Sequence, residues 1–161
     1  MKNKNPNQYT LFGGDYALKG VECRICLKEA ETLYSPEPIC STSIARRVVL
    51  EELRTFDVEH FACICLDTDK NPLNFCIVAK GAVDTVCFDV RSLIKLVVLC
   101  NASAVIIAHN HPCASPAPSE EDKELTGKVK EIMGLVGVQL LDHVIVNYRG
   151  DTYSFCDAGL I

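Results

Sequence analysis

No stretch of this chain approaches the roughly eighteen uninterrupted apolar residues that a membrane-spanning helix requires, so no membrane partner is expected. The opening, Met1-Lys-Asn-Lys-Asn-Pro-Asn-Gln8, is polar and no apolar core follows it. That pattern predicts a protein that is not exported and works in the cytoplasm. Basic residues are also in short supply: 16 Lys and Arg stand against 21 Asp and Glu, a net charge of −5. Sequence-independent DNA binding needs a basic surface, so nucleic acid is a disfavoured partner. Arg46, Arg47, Lys128 and Lys130 are too few to make a local basic patch, although the net charge alone does not exclude one. Internal repeats and low-complexity blocks are absent too, which excludes a repeat architecture.

What remains fits a single soluble domain. The 161 residues suffice for one domain with a sizeable core, and 48% hydrophobic with 23% charged residues is ordinary for a globular fold. Ten cysteines is a high count. Many sit inside apolar, strand-like runs such as Phe61-Ala-Cys63-Ile-Cys65-Leu66 and Asn74-Phe-Cys76-Ile-Val78. There cysteine behaves as a small buried hydrophobe, so mostly free thiols in a reducing compartment are expected. Cys23-x-x-Cys26 lacks a second pair at zinc-ribbon spacing. The segment around it, Val21–Leu27, reads as an edge strand, which favours a structural role over a metal or thiol-exchange one.

Periodicity divides the chain. Residues 1–37 read as a polar tail with Gly13-Gly14 followed by that edge strand, and residues 38–161 as the folded domain. Ser41 or Thr42 caps a helix to about Phe56, with Ile44, Val48, Val49 and Leu53 at helical spacing. Phe61–Leu66 and Leu73–Lys80 read as a hairpin around the turn-rich Asp67–Pro72. Asp89 opens a helix to about Cys100, and Asn101 stops it. Ser103–Ala108 is a strand; Ser119 caps a helix that Gly137 ends; Val138–Asn147 and Thr152–Phe155 hold the last strands. The predicted order is α-β-β-α-β-α-β-β around one mixed sheet with flanking helices, an α/β (α+β) class. An exposed edge strand in such a sheet offers a contact for a homodimer.

The most informative stretch follows the strand at 103–108. It reads His109-x-His111, seven residues, then Ser119-x-x-Asp122. Positions i and i+2 of a strand face the same way, so both imidazoles can address one ion if the strand continues. Asp122 falls at the third position of the helix capped by Ser119, where the helix dipole favours an ionised carboxylate. Pro112, Pro116 and Pro118 stiffen the loop between them. Two imidazoles and a carboxylate are three ligands that zinc accepts, and a fourth position left for water distinguishes a catalytic site from a structural one. Against this, Ser119-x-x-Asp122 alone would serve as a variant capping box. The chain has only four histidines, however, and two of them fall in this frame.

This frame resembles the JAMM signature of the JAB (MPN-type) metallopeptidase fold. More closely, His109-Asn-His-Pro112 with Pro116-Ala-Pro-Ser119 and Asp122 is similar to the bacterial RadC family. Gly81, Asn101-Ala-Ser-Ala104, Leu141-Asp-His143, Tyr153-Ser-Phe155 and Gly159-Leu-Ile161 stand where that family has similar residues, and the likeness spans about residues 38–161. It implies a cytidine-deaminase-like architecture and a hydrolase using one zinc ion on peptide or isopeptide amides of a protein or peptide substrate. In that frame His109, His111 and Asp122 are the zinc ligands, and Ser119 steadies the oxyanion. The upstream glutamate the signature requires matches Glu59, just ahead of a strand; Glu51 and Glu52 match less well. Asp142 and His143 are expected close behind the metal, although a strand-edge histidine with satisfied polar atoms is the plainer reading.

Two departures bear on function. Cys113-Ala114-Ser115 stands where RadC relatives typically read Ser-Gly-Asp, which removes a glycine and puts a thiol two residues from a ligand. Cys113 is therefore a candidate modulator of the site. Residues 1–37 also lack the helix-hairpin-helix pattern of long RadC proteins, which weakens a DNA-repair role inferred from the family name. The alternatives are such a DNA-associated factor, a catalytically silent binding module on the same fold, and a thiol-redox protein built on Cys23 and Cys26.

Overall fold

The computed structural model describes residues 9–10, 17–18, 37–81, 90–113 and 115–161. The chain divides into two units, residues 1–30 and 31–161. In the first, β1 (Tyr9–Thr10) pairs antiparallel with β2 (Ala17–Leu18), within the segment read as a tail. The edge strand expected at Val21–Leu27, with Cys23 and Cys26, lies outside the described residues, as does Asp89.

The second unit runs α1 (Thr42–Leu53), β3 (His60–Leu66), β4 (Pro72–Lys80), α2 (Val90–Leu99), β5 (Ala104–His111), α3 (Glu120–Leu135), β6 (Gln139–Asn147) and β7 (Thr152–Ser154). This is the order read from periodicity. The five strands form one mixed sheet in the order β4-β3-β5-β6-β7. Neighbours are antiparallel except β5 and β6, which are parallel and joined by α3 as their crossover.

Alternation along the central strands feeds two cores. Ala62, Ile64, Leu66, Ile106, Ala108, Val144 and Val146 pack against Val48, Val49 and Leu53 of α1 on one face. Phe61, Cys63, Cys65, Val105 and Ile107 pack against Leu93 and Val97 of α2 and Val129 and Met133 of α3 on the other. Full burial of an aliphatic side chain of this kind stabilises by roughly 1.5–3 kcal/mol, so each face is well anchored. The described cysteines are free. The neighbouring Cys63 thiol and burial push Cys65 far up, and burial pushes Cys100 up to about 11. Such thiols supply almost no thiolate near neutral pH and act as packing groups.

Helix ends follow the local sequence. The Ser41 side chain accepts from the Ile44 N–H at 3.3 Å and caps α1. After α2, Asn101 takes a left-handed conformation (φ 51°), and the Ala102 N–H closes on Val97 O while that of Asn101 closes on Val98 O. Gly137 (φ 74°) ends α3 in the same way, with Val138 N–H on Met133 O and Gly137 N–H on Gly134 O. Both are αL terminations of the kind asparagine and glycine tolerate.

Candidate metal centre

The site forms where the C-terminal end of β5 meets the N-terminus of α3. The apolar run suggests that β5 ends near Ala108. It continues to His111 because its polar end still pairs with β6: His109 with Ile145, Asn110 with Val146, His111 with Asn147. Both imidazoles therefore belong to one strand and share the face that carries α2 and α3. Phe61, across from His109 in β3, lies parallel to its ring at a centroid distance of 6.1 Å.

Asp122 reaches the same point from α3. It is almost fully buried, and its two oxygens have separate partners. Oδ2 accepts from the Ser119 N–H at 2.8 Å and the Ser119 hydroxyl at 2.7 Å, while Ser119 Oγ accepts from the Asp122 N–H at 3.1 Å. This is a complete capping box with aspartate at the third position. Oδ1 faces His109 Nε2 at 3.2 Å. The capping and ligand readings of Ser119-x-x-Asp122 are therefore compatible: Oδ2 closes the helix and Oδ1 faces His109.

His109 Nε2 and His111 Nε2 stand 2.9 Å apart, and His111 Nε2 is 3.7 Å from Asp122 Oδ2. One ligand atom from each of the three residues falls within 4.8 Å of the others; among the described residues no other group of three His, Cys, Asp or Glu converges so closely. Ligands about 2.1 Å from a tetrahedral zinc lie about 3.4 Å from one another. The His109–His111 and His109–Asp122 Oδ1 separations of 2.9 and 3.2 Å are close to that edge, while the 3.7 Å approach of His111 is to Oδ2, the oxygen that also serves the cap. His111 Nδ1 is 2.8 Å from the Ser115 carbonyl, which can only accept, so the neutral ring bears its proton there and its lone pair on Nε2. Burial holds His109 low, at about 4, despite the opposing pull of Asp122. Although the 3.2 Å contact has the geometry of an ion pair, burial decides, and the ring is neutral as a metal ligand requires. The donor set fits a divalent cation such as zinc. The His111 side chain is 13% exposed against 1% and 2% for His109 and Asp122, so solvent reaches the group past His111.

A family model of the RadC-like JAB domain matches residues 39–160. The chain belongs to this family. A UPF0758 protein of Nitrosococcus oceani is 34% identical over 131 residues, covering 81% of this chain and 58% of that protein. A UPF0758 protein of Coxiella burnetii is 35% identical over 120 residues, covering 74% and 53%. One from Tolumonas auensis is 33% identical over 134 residues, covering 83% and 57%. The chain spans little more than half the length of these curated relatives.

The other expected residues of this RadC-like JAB domain take distinct places. Glu59 directly precedes β3, and its carbonyl accepts from the Gly81 N–H at 2.9 Å. The pairing of β3 with β5 begins at Phe61, across from His109, two residues beyond Glu59. Asn110, between the two ligands, turns to the opposite face and fixes the approach to β3. Its Oδ1 accepts from the His60 N–H at 2.7 Å, and its Nδ2 donates to the carbonyls of Phe56 and Val58 at 3.3 and 3.1 Å.

Alternation parts the Asp142-His143 pair. His143 faces the metal side, fully buried, with Nε2 2.9 Å from His109 Nδ1 and Phe155 stacked on its ring. Burial lowers its pKa well below the usual imidazole range. Asp142 faces α1 and ties down the C-terminal turn, accepting from the Ser154 hydroxyl at 2.7 Å and the Cys156 N–H at 3.0 Å; burial raises its pKa against these bonds. Cys113 is exposed and is not among the converging groups. Sequence reasoning missed three supports: Asn110, the Ser115 carbonyl, and Thr126, whose hydroxyl lies 2.6 Å from His143 Nδ1.

Proposed function

We propose that this RadC-like JAB domain is a zinc-dependent hydrolase of the JAMM type that cleaves a peptide or isopeptide amide in a protein or peptide substrate. The observation that carries the reading is the convergence of His109 Nε2, His111 Nε2 and the Oδ1 side of Asp122 from a strand end and a helix start. A bound zinc ion would supply Lewis acidity and a lowered pKa, towards about 7, for the water it holds. His109, His111 and Asp122 would hold the ion, and the group is open to solvent beside His111. Glu59 takes the proton of the attacking water and returns it to the leaving amine. Ser119 Oγ–H is directed at Asp122 Oδ2, so its first task is to orient the ligand. Serving an oxyanion requires that hydroxyl to turn from Oδ2 to the substrate.

Metal analysis after equilibration with zinc and removal of the excess, combined with hydrolysis of peptide and isopeptide amide substrates, tests the reading. One zinc per chain is expected, and Glu59→Gln should keep the zinc while losing at least about a hundredfold in turnover. A protein that takes up no stoichiometric zinc refutes the metal assignment. Full hydrolysis by Glu59→Gln refutes the base assignment alone.

A further inference from the structure

Behind His109 lies a chain of buried polar atoms that the proposed reaction does not use. We infer that Thr126 and His143 are positioning residues that set the direction of a hydrogen-bond relay and so keep the Nε2 lone pair of His109 free for a divalent metal. The inference rests on the reading of His109 as a metal ligand.

The relay begins on α3. Thr126 Oγ1 lies 2.6 Å from the Asp122 carbonyl oxygen, one helical turn back. Two oxygens this close need a proton between them, and a carbonyl has none, so the threonine hydroxyl supplies it. A hydroxyl has one proton. Towards His143 Nδ1, also at 2.6 Å, Thr126 can therefore only accept, which puts the His143 proton on Nδ1. The neutral ring then has its lone pair on Nε2, 2.9 Å from His109 Nδ1. His109 consequently donates from Nδ1 and leaves Nε2 bare, facing His111 Nε2 and Asp122 Oδ1. All three side chains are buried, with Phe61 and Phe155 against the two rings, so water is poorly placed to replace any link.

The opposite direction can be written. It would leave two lone-pair oxygens 2.6 Å apart at Thr126 and Asp122, and it would put a proton on His109 Nε2 where the ion must bind. The Asp122 carbonyl selects between the two. The first turn of α3 thus fixes two ligands at once: the Asp122 carboxylate through the Ser119 cap, and the His109 tautomer through Thr126 and His143. His111 is set separately by the Ser115 carbonyl. A histidine that ligates a metal commonly donates its other N–H to a carboxylate or carbonyl; here a second imidazole stands in that place.

Two measurements on the full chain test this. In metal-free protein with 15N-labelled histidine, long-range 15N–1H NMR should show His143 and His109 both protonated on Nδ1 and bare on Nε2. Zinc affinity, read by competition with a chelator, should fall about 10–100-fold in Thr126→Val, which removes the hydroxyl, and return in Thr126→Ser. Wild-type protein with a proton on His109 Nε2 overturns the relay. A folded Thr126→Val that binds zinc as tightly as wild type also overturns it. Should Thr126→Val fail to fold, the wild-type spectrum still decides. Expected tautomers in a wild-type protein that takes no zinc would support the relay and refute the metal reading, so the two failures are distinguishable.

Discussion

Asp122 has two tasks on two different oxygens, and a pair of substitutions can separate them. Asparagine at this position keeps an acceptor oxygen for the Ser119 N–H and hydroxyl, which now bond Oδ2 at 2.8 and 2.7 Å. It puts a neutral N–H donor where Oδ1 faces His109 Nε2. In metal-free protein Asp122→Asn should therefore stay within about 1 kcal/mol of wild type, because the cap survives and the buried imidazole gains a donor. Asp122→Ala keeps the backbone N–H that Ser119 Oγ caps, but it removes the carboxylate that accepts from the Ser119 N–H and hydroxyl, and hydrogen bonds to a charged group are worth about 1.5–3 kcal/mol. A loss near 2 kcal/mol in a domain of this size lowers the melting temperature by about 4–8 °C.

Zinc separates the conservative variant from wild type. Free zinc at about a hundred times its dissociation constant stabilises wild type by about 2.7 kcal/mol, and both variants should lose that gain because each lacks the carboxylate. The assay is thermal melting with chelator and with buffered zinc for all three proteins. A zinc-dependent rise of wild-type size in Asp122→Asn would show that the carboxylate does not hold the ion. Equal metal-free stability of Asp122→Ala and Asp122→Asn would show that the capping box contributes nothing measurable.

Three further predictions concern the surroundings. Asn110→Ala leaves the buried His60 N–H without its acceptor; denaturation should show a loss of about 1–3 kcal/mol, with hydrolysis falling further than zinc affinity because the segment carrying Glu59 is released, and equal falls would refute that role. In metal-free protein the folded-state pKa of His109, about 4, lies below the ordinary 6.5. The associated stability is thus complete above pH 6.5 and is lost as pH drops towards 4, by about 3 kcal/mol in all. His143 acts with the same sign. Urea midpoints in chelator that stay flat between pH 7 and 5 would refute burial as the cause. Cys113→Ser should leave zinc affinity within about twofold, since the thiol is exposed and outside the converging group; a tenfold change would mean that it competes for the ion.

Much of this was legible in the sequence where periodicity and local chemistry coincide. The order of helices and strands followed from apolar spacing, and Asn101 and Gly137 end their helices because αL termination is a local property of those residues. The end of β5 was not legible, since His109-Asn110-His111 is polar and only pairing with Ile145, Val146 and Asn147 makes it strand. Ser119-x-x-Asp122 looked like a choice between cap and ligand. A carboxylate has two oxygens, and the fold gives one to the cap and turns the other to His109. Strand alternation carries further information. It puts Asn110 on the opposite face from its neighbours and sends Asp142 and His143 to opposite sides of the sheet, as their partners on the α1 and α3 sides bear out.

Thr126 belongs to another category. Its spacing from Asp122 marks one turn of helix, which any threonine in that helix would share with some neighbour. What gives it meaning is His143, which follows it by 17 residues and arrives on a different strand. The register of β6 against β5 sets Ile107 beside His143, two residues along the strand from His109, and so brings the two rings into contact. A tautomer is therefore settled by sheet register, not by motif. The JAMM-like frame names the atoms that would face an ion, while the packing of α3 on β6 would determine which nitrogen of His109 is free to bind it.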